Sequence, residues 1–102
     1  MVKYSLRIYP KAKKDLEDIF SYISTELLNY KAALDLIKKF EEALNNICYF
    51  PELCPLIDNE FVKDNTIRKL VVNNYNVFYR FINNEVQIVR VLSSMNNYFR
   101  VK

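Results

Sequence analysis

A single α+β domain, with a helical hairpin packed on a mainly antiparallel sheet, is the fold these 102 residues predict. Three observations point to it. The N-terminal segment alternates in the manner of a strand, two apolar stripes of helical period follow, and three β-rich segments separated by asparagine pairs complete the chain. The order is β-α-α-β-β-β, and the length is close to that of one ordinary domain, so residues 1–102 are read as one unit.

Val2 to Tyr9 reads as a strand because Val, Tyr and Ile are spaced by polar residues. Pro10 opens a helix, its locked φ being suited to the first helical position. Ala12, Leu16, Ile19, Phe20, Ile23 and Leu27 then recur on one side, with Lys11, Lys13, Lys14, Glu17 and Asp18 on the rest. Asn29-Tyr30 interrupts the pattern. Ala33, Leu36, Ile37, Phe40, Leu44 and Ile47 form a second stripe that ends before Pro51. So short a link between two amphipathic helices implies an antiparallel hairpin.

Pro51 and Pro55 bracket a loop that runs through a polar stretch to about Asn65. Ile67–Val72, Tyr75–Ile82 and Glu85–Leu92 are rich in β-branched and aromatic residues. Asn73-Asn74 and Asn83-Asn84 separate them, and asparagine is the residue besides glycine that best accepts the positive φ of tight hairpin turns. A three-stranded meander follows, and the helical hairpin must cover one of its faces, since neither layer buries its apolar side alone.

Composition excludes more than it includes. The chain has no histidine and no glycine. Histidine bases, Ser-His-Asp and Cys-His pairs and histidine metal ligands are therefore absent, as are the P-loop and the dinucleotide fingerprint. Cys48 and Cys54 are the only cysteines and are expected to be free thiols, Cys48 at an apolar helix position. Neither a metal site nor a cofactor is expected. No apolar run approaches the ~18–20 residues of a membrane span, and the N-terminus lacks the apolar core of a secretory signal, so the expected compartment is the cytoplasm.

The net charge of +3 is unevenly distributed: residues 1–60 hold 8 basic and 10 acidic side chains, residues 61–102 hold 7 basic and 2 acidic. A basic C-terminal half fits an anionic partner, nucleic acid or an acidic protein segment; a mildly basic solvated surface is the plainer alternative.

Three stretches then carry a resemblance. Tyr9-Pro10-Lys11-Ala12, with Asp15-Leu16 and Ile19-Phe20-Ser21-Tyr22-Ile23, resembles the first helix of ParE-type toxins. Phe50-Pro51-Glu52 with Pro55-Leu56 resembles their inter-element loop. Arg68 to Arg80, continued by Val89-Arg90-Val91-Leu92, looks like their signature strands. The chain thus resembles the RelE/ParE superfamily over nearly its whole length, nearest to the ParE-like, plasmid-stabilisation type. The resemblance implies the toxin of a bacterial type II toxin–antitoxin system, held by a cognate antitoxin in a hetero-oligomer. It implies one of two targets: DNA gyrase for ParE-like members, or messenger RNA in the ribosomal A site for RelE-like endoribonucleases. A weakened toxin that chiefly binds its antitoxin is a third reading, and fold alone does not choose among them.

The candidate residues follow from those readings. A nuclease would use Lys69, Arg90 and Tyr98 as its catalytic set. Arg68, Lys69, Arg80, Arg90 and Arg100 would bind nucleic acid or another target, and Arg68, Lys69 and Arg90 the antitoxin. Each has a structural alternative. Arg68 and Lys69 can solvate an edge strand; Arg80 and Arg90 can each pair with a helix carboxylate; Tyr98 can simply pack. Tyr75 and Tyr79, on one strand face, read as core or rim aromatics. Two departures from RelE-like toxins count against cleavage: Asn76 stands where they often carry arginine, and Ser93-Ser94-Met95-Asn96-Asn97 stands where relatives place histidine and basic residues.

Overall fold

The computed structural model describes residues 2–57 and 65–94. The elements are β1 (Ser5–Ile8), α1 (Pro10–Ser21), a π-helical turn (Tyr22–Glu26), α2 (Tyr30–Tyr49), β2 (Arg68–Val72), β3 (Tyr75–Ile82) and β4 (Glu85–Ser93). The order is the one predicted, and the four strands form one sheet in the sequence β1-β4-β3-β2.

β1 is shorter than its alternating pattern. At Tyr4 the chain has left the sheet, and its N–H donates instead to Cys48 O at the end of α2 (2.9 Å). From Ser5 to Ile8 it runs parallel to β4, Ser5 opposite Glu85 and Ile8 opposite Ile88. Pro10 occupies the first turn of α1 after the extended Tyr9, which provides no side-chain cap.

Regular α-helix ends at Ser21, earlier than the apolar stripe implies. The Ser24 and Thr25 hydroxyls donate to Phe20 O (2.8 Å) and Ser21 O (2.5 Å), competing with the backbone ladder for those carbonyls. The last turn widens to π geometry, with Leu27 N–H reaching Tyr22 O and Asn29 N–H reaching Ile23 O, each at 3.2 Å. Leu28 then turns the chain at φ 48°. Asn29 is not merely a break: its side chain accepts the Ala32 N–H (3.0 Å) and caps α2.

The asparagine pairs make both hairpin turns. Asn83 and Asn84 have φ of 54° and 60°, the signs of a type I′ turn, between paired Ile82 and Glu85. In the other turn Asn73 has φ 52°, between paired Val72 and Tyr75.

The main core lies between the helices and one face of the sheet. Ala12 comes from α1; Leu36, Phe40, Leu44, Ile47 and Cys48 from α2; Val72, Val77, Tyr79, Val86, Ile88 and Val91 from the strands. Phe40 joins the layers, its ring 5.9 Å from that of Phe20 and 6.0 Å from that of Tyr75. On the opposite face Ile67 and Phe78 form a smaller cluster with Ile57, Val89 and Leu92. A bulge in β4 sets both. Phe78 pairs with Arg90 but Tyr79 pairs with Ile88, so Val89 is extra and the alternation shifts phase. Ile88 and Val91 therefore both face the core.

Replacing Asn84 by Val should cost about 1–2 kcal/mol, because a β-branched residue is forced into the left-handed region. Asn84→Gly should fold at least as stably as the parent, and urea midpoints of the two variants check the pair.

Candidate functional site

Of the described candidate cations, Arg68 lies on the core side of the sheet and Lys69, Arg80 and Arg90 start from its outer face. In β2 the side chains of Leu70 and Val72 pack into the main core. Alternation places Arg68 on their side and Lys69 and Val71 on the other. Arg68 is half-buried, and its guanidinium donates to Cys54 O (2.6 Å) and Glu52 O (3.3 Å). The Tyr79 hydroxyl, deep in the core, donates to Pro51 O of the same loop (2.8 Å). Burial foremost, and the Cys54 side chain next, raise the Tyr79 pKa and hold the phenol in its donating form. Backbone pairing adds Ile57 N–H to Ile67 O and Lys69 N–H to Pro55 O. Arg68 and Tyr79 thus fasten the loop after α2, and Cys48 and Cys54 are buried free thiols.

Lys69 is exposed beside Phe78, and Arg80 lies two residues farther along β3 on that same outer face, half-buried. Arg90 reaches α1 instead. Its Nε donates to Asp15 Oδ2 at 2.8 Å and its Nη2 to Asp15 Oδ1 at 3.0 Å. This bidentate pair is the helix-carboxylate partner that the sequence offered as an alternative for Arg90. The Asp15 hydrogen bond pushes the guanidinium pKa farther up, and the Asp15 charge adds to that shift. Tyr98 and Arg100 lie outside the described residues.

Asp15 does more than neutralise. β1 ends at Ile8, and Tyr9 N–H makes the final bond of that edge, to Ile88 O at 3.0 Å. Beyond it β4 has no neighbouring strand on that side. Asp15 Oδ2 takes the next inner group, the Val91 N–H, at 2.9 Å. One carboxylate therefore replaces a strand for one residue and fixes Arg90 as well. Sequence reading named Asp15 only as part of a motif, but a signal was present: it sits three residues after Ala12 and four before Ile19, an acid on the apolar stripe.

A second polar network was not foreseen. Tyr9 hydroxyl donates to Gln87 Oε1 (2.9 Å), Gln87 Nε2 donates to Glu85 Oε1 (3.0 Å), and the Arg7 guanidinium lies 5.3 Å from the Tyr9 ring centroid. An apolar cleft of about 530 Å³ lies between β1 and α2, lined by Tyr4, Leu6, Ile8, Leu44 and Cys48 together with Lys3 and Glu41. It runs beside the outer edge of β1, which is one end of the sheet. Among the described residues no group of acids and cysteines is arranged to hold a metal, and no described helix is long and apolar enough to cross a membrane.

Two helices packed on a four-stranded sheet in this connection order match the fold of RelE- and ParE-like toxins. A solved structure of the chromosomal ParDE system from P. aeruginosa is similar, at TM-score 0.72 and 20% identity over 89% of this chain and 96% of that one. The toxin–antitoxin complex RelBE2 from Mycobacterium tuberculosis is similar at TM-score 0.59 and 18% identity, over 90% and 99%. Comparison with curated protein sequences gives no match. The family model for the ParE toxin of the type II toxin–antitoxin system parDE matches residues 6–98, and the chain belongs to that family.

Asp15→Ala should lower stability by about 2–3 kcal/mol, since it leaves Arg90 and the Val91 N–H without their shared acceptor. Arg90→Ala should cost less, and the double variant should be less destabilised than the two effects combined. Additive urea-unfolding energies would show that the two residues do not act together.

Proposed function

We propose that this type II toxin acts as ParE-like members do, by inhibiting DNA gyrase, and that a cognate antitoxin silences it. The observation that carries the reading is that two of the cations an RNA-cleaving site would use are already engaged within the fold. Arg68 is spent on loop carbonyls and Arg90 on Asp15, leaving Lys69 exposed on the opposite face from Arg68. Hydroxyl-driven cleavage needs a base, an acid and positive charge converging on one phosphate. A toxin that blocks its target by binding needs no such convergence. The match to the ParE family model supports the same reading.

The purified chain should inhibit gyrase supercoiling of plasmid DNA and leave messenger intact in a cell-free translation reaction. Ribosome-dependent cleavage with normal supercoiling would replace this reading with the RelE-like one. If neither assay responds, the remaining function is antitoxin binding.

For the antitoxin, the basic sheet face and the helical hairpin supply the proposed surface. Lys69 is its most accessible cation among the three candidates, and the apolar cleft beside β1 suits a segment that folds on binding. Lys69→Ala should weaken the complex about three- to tenfold, more at low salt than at high. Arg90→Ala should act mainly through stability. Calorimetric titration at two salt concentrations checks this, and a salt-independent affinity for Lys69→Ala equal to the parent's would remove Lys69 from the surface.

A further inference from the structure

Four aromatic rings gather where α2 ends. Tyr4, Tyr49, Phe50 and Phe81 line a cavity of about 320 Å³, joined there by Glu52 and Leu53. Tyr4 and Phe81 meet edge to face, their centroids 4.8 Å apart. Phe50 remains 46% exposed and Tyr49 is half-buried, so these rings are not consumed in the core. Packing for burial alone would close the space between them.

Three features of the cavity favour positive charge. An aromatic face carries negative potential, and the protein already uses one: Lys3 Nζ lies 5.8 Å from the centroid of the Tyr49 ring. The cavity also sits at the C-terminal end of α2, a helix of 20 residues with no basic side chain in its last turn. The negative end of the helix dipole therefore has no cation from the helix itself. Finally, Glu52 is exposed, and among the described residues its carboxylate has no ion pair. Arg68 donates to the main-chain oxygens of Glu52 and Cys54 and lines the neighbouring cleft, and Lys3 lines the one beside β1. Among the described residues no lysine or arginine lines the cavity itself.

Size and position indicate where a cation would come from. The volume is near the lower limit for a ligand pocket, ~300 Å³, and suits one side chain. Tyr4 also lines the apolar cleft beside β1, and Glu52 and Phe81 also line the cleft of Arg68, so the cavity is the middle of a trough. A polypeptide leaving the β1 cleft past Tyr4 reaches it. A free small cation would need none of that continuity.

We propose that this aromatic pocket receives an arginine or lysine side chain of the antitoxin segment that lies in the cleft beside β1. This rests on the reading of that cleft as an antitoxin site and adds one requirement, a basic residue in the segment that fills it.

Proton NMR titration of the full chain tests it with N-acetylarginine amide, the uncharged isostere N-acetylcitrulline amide, and N-acetylphenylalanine amide. The arginine probe should shift the ring resonances of Tyr4, Tyr49, Phe50 and Phe81 saturably at millimolar concentration. It should bind at least about fivefold more tightly than the citrulline probe. Glu52→Gln should weaken it about threefold with the urea midpoint unchanged. A capped peptide carrying the same arginine between apolar residues should bind about tenfold more tightly than the amide, and Leu6→Asp should remove only that gain. Absence of saturable shifts overturns the proposal, as do equal binding of the citrulline probe, tighter binding of the phenylalanine probe, or Glu52→Gln equal to the parent. A peptide that binds no better than the amide overturns the assignment to a protein segment. These titrations contain no antitoxin, so the pocket can fail in them while the antitoxin reading stands. That reading fails separately, if the parent chain binds no antitoxin.

Discussion

Asp15 holds the two layers of this protein in register. The sheet is uneven, because β1 pairs with only the first half of β4 and the chain then leaves to begin α1. A strand edge stopped midway leaves inward backbone groups without partners, a costly condition under a helix. Asp15 projects from the helix that causes the interruption and repairs it, accepting from Val91 N–H and both nitrogens presented by Arg90. The β4 bulge belongs to the same arrangement, since the extra residue puts Val91 in the core.

That arrangement also bears on function. Arg90, which the sequence offered either as a binding cation or as the partner of a helix carboxylate, is held by Asp15, and a second guanidinium, that of Arg68, anchors the loop after α2. The basic excess of the C-terminal half is therefore partly structural charge. What remains accessible is a sheet face bearing Lys69, an edge strand beside an apolar cleft, and a hairpin tip with exposed Leu27, Leu28, Tyr30 and Leu34. Each is broad enough to be met by a macromolecular partner.

The helices, the meander and the asparagine turns were legible because each rests on local pattern: a period of 3.6, a period of 2, and a residue type tolerant of positive φ. The position of β1 was not, since its parallel pairing with β4 joins residues about eighty apart and leaves no local trace. The early end of α1 was hidden as well, because Ile23 and Leu27 continue the stripe while Ser24 and Thr25 draw carbonyls out of the ladder. For the site, sequence offered the correct alternative for Arg90 without the identity of its partner. An acid on an apolar stripe marks a buried pair, but only the fold names the arginine 75 residues away.

The absence of glycine has a chemical consequence beyond geometry. Asparagine ages by attack of the following residue's backbone nitrogen on its side-chain carbonyl, a ring closure that is fastest when glycine follows. Tight hairpin turns commonly use Asn-Gly, and so place their most degradable bond at their most exposed point. Here Asn73 and Asn83 are each followed by another asparagine, whose side chain hinders the closure. The turns keep the positive φ they need and avoid the fastest route of spontaneous damage.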